Sequence, residues 1–121
     1  MSTGKAIDIR NRTFDFAVRV VKLCRYLDEK PGTGRTLAYQ LLKAATSVGA
    51  NIEEAQAGQS KADFISKNAI ALKEARETHY WLRIIAASEL VPEHRLSELL
   101  TEADEIMRVI GAIIVSAKRS E

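Results

Sequence analysis

The feature that most constrains this chain is a helical repeat of apolar residues over long stretches free of helix breakers. Both prolines, Pro31 and Pro92, and the glycine at residue 58 lie between these stretches rather than inside them. Within the stretches, apolar residues recur every three or four positions, which is the period of an amphipathic α-helix. No stretch alternates with the period of two that is typical of a strand. The sequence therefore predicts an all-α fold.

Four helices are predicted, at about residues 12–29, 34–57, 60–88 and 92–118. Asn11 or Thr13 is a suitable N-cap for the first helix, so residues 1–10 are predicted to be a flexible N-terminus. Ser60, with Asp63 three residues later, resembles a capping box at the start of the third helix. Short connections between successive helices favour antiparallel neighbours. We therefore predict one domain over all 121 residues, folded as an antiparallel up-down-up-down four-helix bundle.

Composition indicates the cellular setting. The single cysteine, Cys24, cannot form an internal disulfide, which is typical of a reducing compartment. The chain has no apolar run of about 18 residues, the length that a membrane span requires, and no basic-then-apolar leader. We therefore expect a soluble cytoplasmic protein that has no membrane partner.

Metal and catalytic patterns are missing from the sequence. Di-iron bundles use Glu-x-x-His pairs, which place two ligands on one inward face, but Arg76 and Val91 stand three residues before His79 and His94. The two histidines and one cysteine give no zinc pattern, and there is no Gly-rich phosphate loop or nucleophile elbow. Cys24 falls in the apolar arc of the first helix and is more typical of a core residue than of a nucleophile. We expect a non-enzymatic protein with no catalytic residue, metal or cofactor.

A basic arc on the first predicted helix is one candidate binding surface. Its four cations are Arg12, Arg19, Lys22 and Arg25. Such an arc can contact the phosphate backbone of RNA or DNA. The same pattern also fits a solvated face on which Asp15 and Glu29 balance the charge. Because Tyr26 is the only aromatic residue among these cations, base stacking is not indicated.

An apolar patch on the third predicted helix is a candidate oligomer interface. Ile70, Trp81 and Ile84 lie opposite the arc that is predicted to face the core. A tryptophan flanked by isoleucines on an outer face is typical of a protein interface. The alternative is a bundle twisted enough to bury both sides of this helix.

Three polar residues lie on or near the predicted core arcs: Asn51, Asn68 and His79. We interpret them as a buried polar network that fixes helix register. The alternative is a polar pocket for a small ligand, which would also be the place for an unfamiliar enzymatic site near Asn51 and His79.

Several runs of residues carry a resemblance to a known family. They are QLLKAATSVGANIEEA at residues 40–55, SKADF at 60–64, AIALKEARET at 69–78 and YWL at 80–82. These runs resemble the signature of the 23S rRNA intervening-sequence proteins, which are small four-helix bundles. The family name reflects open reading frames found inside insertions of large-subunit ribosomal RNA genes. The likeness covers almost the whole chain.

The resemblance also implies an assembly and its partners. Related bundles, the accessory variability proteins of diversity-generating retroelements, form pentameric barrels that bind nucleic acid and a reverse transcriptase through a basic surface. By this likeness the chain is expected to form a homo-oligomeric ring, a pentamer, with RNA or DNA, or another protein, as a further partner. Those proteins are strongly basic, whereas the net charge here is +2, so weak binding is expected. A structural or protein-interaction scaffold with no nucleic-acid role is the alternative.

Overall fold

Four helices account for nearly all of the structure. The computed structural model describes the backbone of residues 2–120 and the side chains of residues 9–120. The helices are α1 (Ser2–Leu27), α2 (Thr33–Gln56), α3 (Lys61–Ala87) and α4 (Ser97–Arg119), with a single 3₁₀ turn (Glu93–Arg95) before α4. No strand is present between residues 2 and 120. The predicted all-α class is confirmed, and the four helices are consistent with a four-helix bundle.

Contacts between helices show that neighbours run antiparallel. Arg10, early in α1, pairs with Glu53, late in α2. Arg12 likewise pairs with Glu102 of α4, whereas Arg19, further along α1, meets Glu98, which is earlier in α4. Each helix packs most closely on its neighbours in the chain, and α1 also packs on α4.

Helix α1 begins at Ser2, earlier than the predicted start near residue 12. The Thr13 hydroxyl donates to the Ile9 carbonyl at 2.9 Å, so this residue satisfies the backbone inside a helix and does not cap one. Ile9 is fully buried and anchors the earlier turn in the core. The flexibility of residues 1–10 stays a prediction, and Met1 lies outside the described residues.

The other helix ends follow local backbone chemistry. The Ser60 side chain accepts a hydrogen bond from the Asp63 backbone N–H at 3.0 Å, as the capping pattern predicts. Gly32, at φ 127°, supplies the turn between α1 and α2. Pro92 has extended backbone angles, φ −55° and ψ 138°, so α4 begins at Ser97 rather than at residue 92.

The core contains the lone thiol, as predicted. Cys24 is buried, and its Sγ donates to the Ala38 carbonyl at 3.3 Å. Burial, with a smaller effect of the Asp28 carboxylate, raises the pKa of the thiol to about 11. The thiol is therefore neutral and inert near neutral pH.

Candidate nucleic-acid interface

The predicted basic arc of α1 starts with a cation that is already neutralised. The Arg12 guanidinium donates to both carboxylate oxygens of Glu102, at 3.0 Å from Nε and 2.7 Å from Nη2. The two side chains are 28% and 22% exposed. Such a bidentate pair fixes the Arg12 guanidinium against one carboxylate. Arg12 therefore belongs to the α1–α4 packing rather than to a free phosphate-binding surface.

The remaining three cations of the arc are more available. Arg19 Nη2 lies 3.5 Å from Glu98 Oε1, a loose contact to a carboxylate that is 90% exposed. Lys22 and Arg25 are exposed and form no ion pair with any side chain described between residues 9 and 120. The structure thus divides the predicted arc into one neutralised, one loosely paired and two free charges.

A groove between α1 and the start of α4 gathers several of these groups. Its volume is about 440 Å³. Residues from α1, the 3₁₀ turn and α4 line it: Arg19, Lys22, Leu23, Tyr26, His94, Arg95, Glu98 and Leu99. We call this the α1–α4 groove. With three arginine or lysine side chains and one carboxylate, it favours an anionic ligand.

Tyr26 and Arg95 form the inner contact of the α1–α4 groove. The guanidinium carbon of Arg95 lies 4.8 Å from the centre of the Tyr26 ring, within the range of a cation–π interaction. Helical periodicity within α1 gives no sign of this pair, because Arg95 comes from a turn far along the chain. We use the term basic surface for the groove cations Arg19, Lys22 and Arg95 together with Arg25.

The basic character stops within the α1–α4 seam. A neighbouring depression of about 340 Å³ is lined by Arg19, Ser97, Glu98, Thr101 and Glu102. Two carboxylates face one arginine there, so this part does not attract an anion. The basic surface is therefore limited to the half of the seam near the end of α1.

Sequence and structure comparisons identify the family. The sequence model of the 23S rRNA-intervening sequence proteins matches residues 5–112. The chain belongs to this family. One similar solved structure is a protein of unknown function from the S23 ribosomal protein family of Bacteroides thetaiotaomicron VPI-5482. It is 38% identical, covers 91% of this chain and 97% of its own, and has a TM-score of 0.85. None of the curated proteins is significantly similar.

Family membership confirms the resemblance stated above. The relation to the retroelement accessory proteins, the pentameric ring and the nucleic-acid partner remain predictions. In this member of the 23S rRNA-intervening sequence proteins, the α1–α4 groove is the surface relevant to nucleic-acid binding. The exposed apolar residues are the surface relevant to self-association.

The predicted apolar patch on α3 is only partly on the surface. Ile70 is exposed, but Trp81 and Ile84 are half-buried, and Trp81 packs against the core. The Trp81 indole N–H donates to Glu77 at 3.1 Å. For these two residues the structure favours a bundle that buries both sides of α3. Among residues 9–120, the most exposed large apolar side chain is instead Phe14 of α1, at 64%.

The three predicted core polar residues do not form one network. The Asn51 amide donates to the Ser47 carbonyl at 2.9 Å, and the Asn68 amide donates to the Phe64 carbonyl at 2.9 Å. Each amide thus bonds to the backbone of its own helix four residues earlier. His79 is half-buried and makes no hydrogen bond to the described residues. For the two asparagines these are the bonds to backbone that the interpretation allows, because helical geometry places an acceptor nearby, and the residues are not bonded to one another.

Between residues 9 and 120 there is no group of three or more His, Cys, Asp or Glu side chains that could hold a metal ion. No helix in the described part of the chain combines the length and apolar character needed to cross a membrane.

Proposed function

We propose that the protein binds the phosphate backbone of RNA or DNA weakly through its basic surface. The observation that carries the proposal is the pair of free, exposed cations Lys22 and Arg25 beside a groove that also contains Arg19 and Arg95. The proposal involves no catalytic step, metal or cofactor.

The number of available cations supports weak rather than tight binding. One of the four cations of the basic surface, Arg19, is loosely paired with Glu98, so about three phosphates can be neutralised, each releasing counterions. The affinity should then fall with salt with a logarithmic slope of roughly −2 to −3. Between 50 and 200 mM salt this corresponds to a loss of roughly 15- to 65-fold.

RNA is the polyanion to test first. The family is described by its link to 23S rRNA intervening sequences, and the similar solved protein is assigned to an S23 ribosomal protein family. Those words describe the relatives, and they support the choice of RNA as the probe for this chain.

Charge reversal with a matched control tests the proposal. Lys22 and Arg25 are three residues apart on α1, and Lys73 and Arg76 have the same types, spacing and exposure on α3. The double variant K22E/R25E should weaken binding of a labelled RNA at least about tenfold, and K73E/R76E should change it little. Fluorescence anisotropy at low salt measures both. No binding by the wild-type protein, or equal losses in both variants, would overturn the proposal.

Self-association is a second candidate function, favoured by the outward face of α1. Phe14 is 64% exposed and is followed one turn later by the exposed Val18. Adjacent apolar side chains on one helix face are typical of an interface. We propose that copies of the chain associate through this face.

The oligomer masses of two variants distinguish the Phe14 face of α1 from the apolar patch that the sequence predicts on α3. Phe14→Glu should lower the oligomer mass measured by multi-angle light scattering, because it places a charge in an apolar contact. Ile70→Glu makes the same change on α3 and should leave the mass unchanged. A wild-type protein that is monomeric, or a Phe14→Glu variant with wild-type mass, would contradict this candidate.

A further inference from the structure

Tyr26 and Arg95 together form a stacking platform at the end of α1: the Arg95 guanidinium lies over the Tyr26 ring. Tyr26 is 41% exposed and carries the planar Arg95 guanidinium at 4.8 Å from its ring centre. Aromatic rings and guanidinium planes are the groups on which nucleic-acid bases stack. The sequence alone did not indicate stacking, because the two residues come together only in the folded chain.

The platform can open without breaking another interaction. Arg95 is exposed, and its side chain makes no hydrogen bond or ion pair with any residue that the structure describes; it lies over the Tyr26 ring. The guanidinium can therefore move aside or stack on the far side of an incoming base. Once Arg95 has moved aside, the Tyr26 ring is available to a flat ligand.

The rest of the α1–α4 groove suits one nucleotide. Leu23 and Leu99 give it an apolar lining, and its volume of about 440 Å³ is in the range of small-molecule sites. Lys22 and Arg19 precede Tyr26 by one and two helical turns, which places them about 6 Å and 10 Å away along the axis. Cations at these separations lie where the phosphates next to a stacked base would run.

We propose that the α1–α4 groove takes an unpaired base of single-stranded RNA or DNA, stacked on Tyr26 with its neighbouring phosphates on Lys22 and Arg19. This inference rests on the proposed nucleic-acid binding and adds the class of ligand. In a duplex the bases are paired and stacked inside the helix, so a duplex gains only the phosphate contacts. Single strands should therefore bind more tightly than duplexes of the same sequence.

Substitution of Tyr26 tests the ligand class. Tyr26→Leu keeps apolar bulk but removes the ring, and it should weaken binding of a single-stranded RNA about tenfold, near the lower end of measured stacking effects. Tyr26→Phe keeps the ring and should retain wild-type affinity. Duplex RNA of the same sequence should bind all three proteins equally. Fluorescence anisotropy at low ionic strength measures each affinity.

A second cation–aromatic pair provides the matched control. Tyr39 of α2 is exposed and has Lys43 5.8 Å from its ring centre, but it does not line the groove. Tyr39→Leu should therefore bind single strands as the wild type does. Equal affinity for single strands and duplexes, or a Tyr26→Leu variant with unchanged affinity, overturns the ligand class while the proposed function stands. Absence of binding to either nucleic acid overturns both.

Discussion

The Arg12–Glu102 pair allows a quantitative test of how α1 and α4 are held together. Glu102→Gln keeps the size of the side chain and removes the charge that accepts two hydrogen bonds, at 3.0 and 2.7 Å. Exposed ion pairs contribute about 0.2–1 kcal/mol, and hydrogen bonds to charged groups about 1.5–3 kcal/mol. With both side chains less than a third exposed, the pair falls between these classes. We expect the free energy of unfolding to drop by about 1–2 kcal/mol.

Thermal unfolding followed by circular dichroism measures this loss as a fall in Tm of roughly 4–8 °C for a domain of this size. Glu53→Gln is the control, because the Arg10–Glu53 pair has a similar 3.1 Å contact but is more exposed. Its loss should stay below about 1 kcal/mol. A Glu102→Gln variant as stable as the wild type, or no less stable than Glu53→Gln, would refute the assignment of Arg12 to helix packing.

Three other substitutions and one chemical treatment have definite expected outcomes. Glu98→Gln removes the carboxylate from the α1–α4 groove and should tighten RNA binding, measured by anisotropy, about two- to fivefold. It should not lower Tm, because the Arg19–Glu98 pair is exposed. Weaker RNA binding would contradict the placement of Glu98 beside the basic surface. Gly111→Ala adds a methyl group that meets nothing within 4 Å and should raise the free energy of unfolding, measured in urea, by about 0.5–1 kcal/mol. Gly49→Ala should gain at least as much, because its added Cβ would make ordinary van der Waals contact with Thr13, 3.5 Å from the carbonyl oxygen; a loss of stability would contradict this packing. Cys24, with a pKa of about 11 and little exposure, should not react with a thiol reagent at about pH 8 until the protein is unfolded, and rapid labelling of the folded protein would contradict its burial.

Periodicity and breakers were sufficient to predict the helices but not all of their ends. The apolar repeat identified four helices, and the Ser60–Asp63 cap was read correctly because a cap depends on residues close in sequence. The predicted start of α1 is too late. A threonine hydroxyl can cap a helix or bond to a carbonyl inside one, and Thr13 does the second. The predicted start of the fourth helix at residue 92 is too early, because the backbone of Pro92 is extended and α4 begins at Ser97.

The candidate site was predictable only where it lies on one helix. The cations of α1 could be grouped by their angular positions, which gave Arg19, Lys22 and Arg25. Whether each α1 cation is paired depends on the carboxylates of α4. The apolar repeats of α1 and α4 do not show how the two helices are rotated against each other. For this reason the sequence could not separate Arg12, held by Glu102, from the available cations. The sequence also could not show that Arg95 lies over the Tyr26 ring of α1.

The most direct test of the account is the salt dependence of RNA binding by the wild-type protein and by Lys22→Ala. The account predicts measurable binding at low salt, with a logarithmic slope of roughly −2 to −3 for the wild type. Removal of one free phosphate contact should make the slope shallower by about one. Absence of binding at low salt, or an identical slope in the variant, would contradict the claim that the basic surface of this bundle binds nucleic acid.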